Sequence, residues 1–246
     1  MDNKHDIKLI ALDMDGTLLT SEQEISTYTK ETITKVLDKD VQVVLSTGRW
    51  LDSCHPFAES LNLTSYLVTV NGGEIWTVDK ELKERHLFDP HMIEMMWELG
   101  AANDMDSWLV SLDDIWYNAR PDNFYDHDWL KIGFASNNQD RLDDLVEKLS
   151  HHKGLELANS MPNNIEVNPA GVNKATGLMK VCDWLGITMD SVMAVGDSLN
   201  DIKMIEQAGV GVAMGNAQEA IKKAADFITE SNNKDGVANA IQRFVL

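Results

Sequence analysis

Residues 8–17 read Lys8-Leu9-Ile10-Ala11-Leu12-Asp13-Met14-Asp15-Gly16-Thr17, an apolar run that ends abruptly in two carboxylates, a glycine and a threonine. A run without alternation is the signature of a strand buried on both faces, the kind found in parallel sheets. The switch to Asp-Met-Asp-Gly marks the strand end feeding a turn. The same signature recurs. Val41 to Leu45 runs into Ser46-Thr47-Gly48-Arg49, and Val192 to Val195 into Gly196-Asp197-Ser198-Leu199-Asn200-Asp201. Tyr66 to Val70 and Val210 to Met214 are further runs of this kind. Between them Thr29, Ile33, Val36 and Leu37 share a helical face, as do Leu178, Cys182 and Leu185, and Ala217, Ile221 and Ala224. Val237, Ala240, Ile241 and Phe244 have the spacing of a closing helix. Strands alternating with helices predict an α/β core around a parallel sheet.

From about Phe88 to Val167 the pattern changes. It predicts a helix near His91 to Asn103 and extended segments at Trp108 to Leu112, Ile115 to Ala119 and Leu130 to Ala135. A helix near Leu142 to Leu149 and a strand at Leu155 to Ala158 follow. This reads as αββαββ, a separate α+β layer inserted in the core, with four of the seven tryptophans inside it. The expected division is residues 1–85 as core, 86–168 as insert and 169–246 as the rest of the core.

Composition narrows the function classes. At 246 residues, 43% hydrophobic and 25% charged, the chain is ordinary globular material and long enough for a sizeable core. No apolar stretch approaches the roughly 18 residues of a membrane span. With 21 Lys+Arg against 40 Asp+Glu the net charge is -19, which repels a phosphate backbone and argues against a nucleic-acid partner. The polar start MDNKHD lacks the apolar core of a signal peptide, and Cys54 and Cys182 show no CxxC spacing, so a cytoplasmic location is expected.

The chemistry concentrates at the strand ends. In open α/β sheets ligands bind outside the carboxyl edge, where Asp13 and Asp15 fall. Asp13 can serve as a nucleophile of the kind that forms aspartyl-phosphates, and Asp15 as acid and then base. An ordinary acidic turn is the competing reading. A second acidic cluster at the same edge, Asp197 to Asp201, creates a repulsion that a divalent cation resolves. An all-oxygen donor set suits Mg²⁺, with Asp197 as ligand and Asp201 holding the shell around it. A helix N-cap is the alternative there. The Ser46-Thr47-Gly48-Arg49 turn and Lys174, opening a helix, supply the donors and positive charge that a transferring phosphoryl group needs.

DMDGT at 13–17, STGR at 46–49, Lys174 in GVNKATGL and GDSLND at 196–201, in that order, resemble the four motifs of the haloacid dehalogenase superfamily. Their spacing is similar to that of its Cof-type phosphatases, subfamily IIB, in which an α+β cap lies between the second and third motifs. The resemblance covers nearly the whole chain, the insert by position and pattern only. It implies a Rossmann-like core with an inserted cap and a Mg²⁺-dependent phosphatase acting on a small phosphorylated metabolite, a sugar phosphate or cofactor precursor. It implies Asp13 as nucleophile and metal ligand, Asp15 as acid/base and ligand through its carbonyl, and Asp197 as the further ligand. Thr47, Gly48, Lys174, Asn200 and the Met14 backbone N–H would hold phosphate. Arg49, Trp50, Asn71 and Gly72 are candidates to line the substrate site, with Gly73 departing from the family's usual Asn-Gly-Ala.

Two rivals share parts of this reading: a phosphotransferase or mutase acting on a sugar phosphate, and a regulatory phospho-acceptor module. Other features have plainer readings. Gly209, Gly211 and Gly215 give GxGxxxG, a strand and turn rather than a dinucleotide site. Asp126-His127-Asp128 has no further ligand at metal spacing. His151-His152 is read as a solvated helix end. Trp108, Trp116, Tyr117, Phe124, Tyr125 and Trp129 are expected mainly to build the insert's own core.

Overall fold

The computed structural model describes residues 6–246; Met1–His5, most of the polar start, lie outside the described residues. In chain order the elements begin β1 (Leu9–Leu12), α1 (Thr27–Leu37), β2 (Gln42–Ser46), α2 (Leu51–Ser60), β3 (Tyr66–Thr69), β4 (Glu74–Thr77) and β5 (Leu82–Arg85). Next come α3 (Pro90–Ala102), β6 (Asp106–Ser111), β7 (Ile115–Tyr117), β8 (Trp129–Ala135), α4 (Gln139–Ser150), β9 (Leu155–Ala158) and β10 (Asn164–Pro169). The chain closes with α5 (Lys174–Leu185), β11 (Val192–Gly196), α6 (Ile202–Gln207), β12 (Val210–Ala213), α7 (Glu219–Ala224), β13 (Phe227–Ile228) and α8 (Gly236–Phe244). Two compact units result, one from the chain up to Glu84 with Lys174–Leu246, the other Arg85–Asn173. Among the described residues no helix is long and apolar enough to cross a membrane.

The first unit is built on an eight-stranded sheet of order β13-β12-β11-β1-β2-β3-β4-β5. All four residues of β1 have no exposed surface, as expected of a strand covered on both faces. β1 pairs in parallel with β2 on one side and β11 on the other, with Leu12 opposite both Leu45 and Val195. Three strands therefore end level at one edge, where Asp13, Ser46-Thr47 and Gly196-Asp197 lie. The sheet is parallel from β13 to β3 and ends in an antiparallel addition, β3 with β4 and then β5, a departure from a purely parallel core. Helix α1 starts where Ser26 Oγ accepts the Thr29 N–H at 3.1 Å, an N-cap worth about 1 kcal/mol, and it buries Ile33 and Val36. Gly211 lies inside β12, where a Cβ would meet the Ile205 carbonyl oxygen at 2.4 Å, so close strand packing explains the glycine-rich run.

The second unit is a five-stranded antiparallel sheet of order β7-β6-β8-β10-β9 with α3 and α4. Its order, αβββαββ, has one strand more than the expected αββαββ, because three strands, β6, β7 and β8, lie between the two helices where the expected order has two. Leu109, Ile132 and Val167 lie in one cross-strand row and Phe134 pairs with Ile165, giving a continuous apolar face. That face packs with Ile93 and Met96 of α3 and Leu142, Leu145 and Leu149 of α4 into one cluster. The aromatic residues divide. Trp129 is fully buried, its ring 4.8 Å from that of Phe124 and 5.3 Å from that of Trp116, and its Nε1–H donates to the Phe124 carbonyl at 3.0 Å. Trp108 fills the space above Gly133, where a Cβ would come within 2.0 Å of its ring, whereas Tyr117 and Tyr125 are exposed. His127 packs its ring against Trp116 and Trp129 and has the carboxylate of Asp113 3.8 Å from its Nδ1, and His151 caps the end of α4 on the surface.

Candidate active site

Register brings Asp13 and Asp197 together: the Asp13 N–H donates to the Val195 carbonyl at 3.0 Å, one residue short of Gly196. Lys174, the first residue of α5, is fully buried, and its Nζ donates to Asp13 Oδ1 and to Asp201 Oδ1, both at 2.6 Å. The second oxygen of Asp201 accepts the backbone N–H groups of Asp197 (2.9 Å) and Ser198 (3.0 Å). With both oxygens engaged, Asp201 fixes the lysine and the loop bearing Asp197. Asp197 in turn accepts from the Thr17 hydroxyl at 3.1 Å and the Ser198 hydroxyl at 3.1 Å. Two glycines make this approach possible. A Cβ at Gly16, where φ is +80°, would lie 2.6 Å from Asp197 Oδ2, and one at Gly196 would lie 2.4 Å from Asp201 Cγ.

Among the described residues, Asp13, Asp197 and Asp201 form the group that can hold a metal ion, with ligand atoms all within 4.8 Å of one another. At that separation each carboxylate pair repels by about 3 kcal/mol at an effective dielectric near 20, and one ammonium cannot offset three anions. The titration behaviour agrees. Burial first, then Asp201, raises the Asp13 carboxyl well above its ordinary range despite Lys174. Burial and Asp201 push Asp197 up to about 6. Burial works against the charge on Lys174, but Asp13 and Asp201 outweigh it and its pKa is raised. An all-oxygen, electron-rich and sterically crowded set fits a small hard cation such as Mg²⁺.

The other sequence-nominated residues distribute around this centre. Thr47 is buried at the end of β2, its N–H bound to the Val68 carbonyl and its hydroxyl accepting the Arg49 N–H at 3.1 Å; Gly48 lies half-buried between them. Asn71, at φ +56°, accepts from Asn200 Nδ2 at 3.2 Å, and Gly72 follows at φ +92°. The Asn200 Oδ1 atom is buried without a protein partner and can only accept, whereas Nδ2 has a second N–H beyond the one given to Asn71, the group suited to an anionic ligand. Met14 is buried, and its carbonyl accepts from Thr17 and Leu19, shaping the turn after β1. Trp50 is half-buried immediately before α2. The Asp15 side chain stands outside the acidic group. Both its oxygens are bound by Arg49, Nε to Oδ2 at 2.7 Å and Nη2 to Oδ1 at 2.6 Å, an ion pair that raises the Arg49 pKa.

Sequence reasoning did not reach several supporting contacts. Asn216 Nδ2 donates to the Gly16 carbonyl at 2.8 Å across 200 residues, and Gln23 Oε1 accepts from Arg49 at 2.5 Å. Neither residue lies in a recognisable pattern, and only the positive φ of Gln23 marks it locally.

Comparison with known proteins places this geometry. The model of the haloacid dehalogenase-like hydrolases matches residues 10–126 and 117–241. The 5-amino-6-(5-phospho-D-ribitylamino)uracil phosphatase YcsE of Bacillus subtilis (strain 168) is 51% identical over 241 residues, covering 98% of this chain and 97% of that protein. The solved structure of a haloacid dehalogenase-like hydrolase from B. subtilis superposes with a TM-score of 0.87 at 26% identity, covering 98% and 100% of the two chains. The HAD subclass IIB sugar phosphatase BT4131 shares the fold with a TM-score of 0.84 at 21% identity, covering 96% and 98%. Fold and relatives together define a hydrolase of phosphate esters. The chain belongs to the haloacid dehalogenase-like hydrolases, and it is a phosphatase.

Proposed function

We propose that this phosphatase is a Mg²⁺-dependent phosphomonoesterase that works through an aspartyl-phosphate on Asp13. The observation that carries the reading is the Asp13 carboxylate, buried, oriented by Lys174 and set against Asp197. In the first half-reaction an Asp13 oxygen bonds to phosphorus as the ester P–O bond breaks, and the leaving oxygen takes a proton from Asp15. In the second, Asp15 takes a proton from water, whose oxygen bonds to phosphorus as the Asp13–P bond breaks, restoring both aspartates and releasing inorganic phosphate. Lys174 and the amide of Asn200, with Thr47, Gly48 and the Met14 N–H, bind the phosphoryl oxygens and stabilise their charge. Asp13, Asp197 and the Asp15 carbonyl would hold Mg²⁺, which would neutralise the anionic centre and polarise the phosphoryl group.

For the substrate, identity over nearly the full length to a 5-amino-6-(5-phospho-D-ribitylamino)uracil phosphatase supports a phosphorylated cofactor precursor of that type. We assign the inserted unit as the cap that selects it. Two free, buried cysteines suit a reducing, cytoplasmic setting. The test is phosphate release with Mg²⁺ from a panel including that compound and simple sugar phosphates, ranked by kcat/KM. Asp13→Asn should abolish turnover with an unchanged circular dichroism spectrum; phosphate release at the wild-type rate would end the assignment.

A further inference from the structure

The loop that follows β12 is fastened to both turns of the acidic centre. The Met214 N–H donates to the Gly196 carbonyl at 3.0 Å and the Gln218 N–H to the Asp197 carbonyl at 2.9 Å, so its two ends are tied to the turn after β11. Between them Asn216 Nδ2 donates to the Gly16 carbonyl at 2.8 Å and so reaches the turn after β1. Asn216 is a surface residue, yet both ends of its amide are engaged, because Oδ1 accepts the Asn232 N–H at 2.9 Å. An amide oxygen committed to a backbone donor leaves the NH₂ group to face Gly16, which fixes the orientation of the amide. The loop is braced from behind as well. Asn232 Nδ2 donates to the Leu19 carbonyl at 2.8 Å, and the Gly215 N–H donates to the Glu230 carbonyl at 3.1 Å.

What the Asn216 bond controls follows from Gly16. At φ +80° this residue leaves room for Asp197, but a glycine visits both hands of the backbone with similar ease and does not hold such a conformation by itself. Holding its carbonyl fixes the plane of the peptide between Gly16 and Thr17. The Asp15 carbonyl precedes that plane, and the Thr17 hydroxyl, which donates to Asp197 at 3.1 Å, follows it. We propose that Asn216 is a positioning residue for the metal centre, acting through the Gly16 carbonyl to keep the Asp15 carbonyl and Asp197 in register; this rests on the assignment of those two groups as Mg²⁺ ligands above. A small cation that demands near-ideal octahedral geometry is sensitive to the displacement of either group. Partners one step removed from a metal are commonly worth roughly 10–100-fold in its affinity.

Calorimetric titration of the EDTA-treated full chain with Mg²⁺ reads this role without turnover. Asn216→Leu, which keeps the size and removes the donor, and Asn216→Ala should each raise the Kd for Mg²⁺ about tenfold, the low end of that range. The Mg²⁺ concentration giving half-maximal phosphate release should rise by the same factor. Asn232→Ala separates positioning from mere bracing. It deletes a bond of the same kind to Leu19 but keeps the backbone N–H that orients Asn216, so its Kd should stay within about twofold of wild type. An unchanged Kd in both Asn216 variants, or an equal rise in Asn232→Ala, would overturn the positioning role while leaving the phosphatase and Mg²⁺ readings intact. A wild-type chain that binds no Mg²⁺ would overturn the metal reading together with it.

Discussion

Mg²⁺ should raise the melting temperature of the metal-free protein, and should do so more near pH 7.5 than near pH 5. The magnitude comes from Asp197, whose carboxyl moves from 3.8 to about 6 on folding because burial and Asp201 oppose its charge. A carboxyl that binds its proton more tightly when folded stabilises the fold below its unfolded pKa. That contribution is lost as pH rises between about 4 and 6. About two pKa units correspond to a cost on the order of 3 kcal/mol for the ionised, metal-free site above that window, and Asp13 shifts in the same direction. A cation at about 100 times its Kd returns about 2.7 kcal/mol, or roughly 5–10 °C at 2–4 °C per kcal/mol for a chain of this size. Near pH 5 protons already occupy the carboxylates, so the cation must displace them and the gain shrinks. Thermal melts of EDTA-treated protein with and without Mg²⁺ at both pH values measure this directly, and Asp197→Asn should remove most of the gain. Equal shifts at the two pH values, or none, would refute the electrostatic account of the site.

Two other outcomes are expected. Gly16→Ala places a Cβ at 2.6 Å from Asp197 Oδ2 on a residue at φ +80°, so it should cost about 1–2 kcal/mol in a urea titration and lower kcat more than tenfold by displacing Asp197. Cys54 is buried with its thiol pushed up to about 12, chiefly by that burial, so a disulfide reagent near pH 8 should label it only after denaturation.

The core strands were legible because each combines an unbroken apolar run with an abrupt polar end. β1, β2 and β11 carry that pattern because both their faces are covered. The hairpin extension was not legible: β5 is Leu-Lys-Glu-Arg, largely charged as an edge strand is, and it offers neither alternation nor a run. Helix α2 hides its period behind the internal Pro56. In the site, Asp13, Lys174, Asp197 and Asp201 could be nominated because charged residues stand where apolar runs stop or a helix starts. The pairing of Arg49 with Asp15 could not, since it depends on the rotamers of two side chains 34 residues apart. Gln23 needed a turn conformation that its residue type does not announce.

The central strand β1 is made within the first dozen residues, yet its partner β11 begins only at Val192, after the whole inserted unit. During translation one rim of a fully apolar strand therefore stays unsatisfied until β11 itself has left the ribosome. The inserted unit has its own cluster of buried residues and can consolidate in the interval. Chains cut short before β11 should be sticky rather than merely inactive, and their yield in soluble form should track chaperone supply.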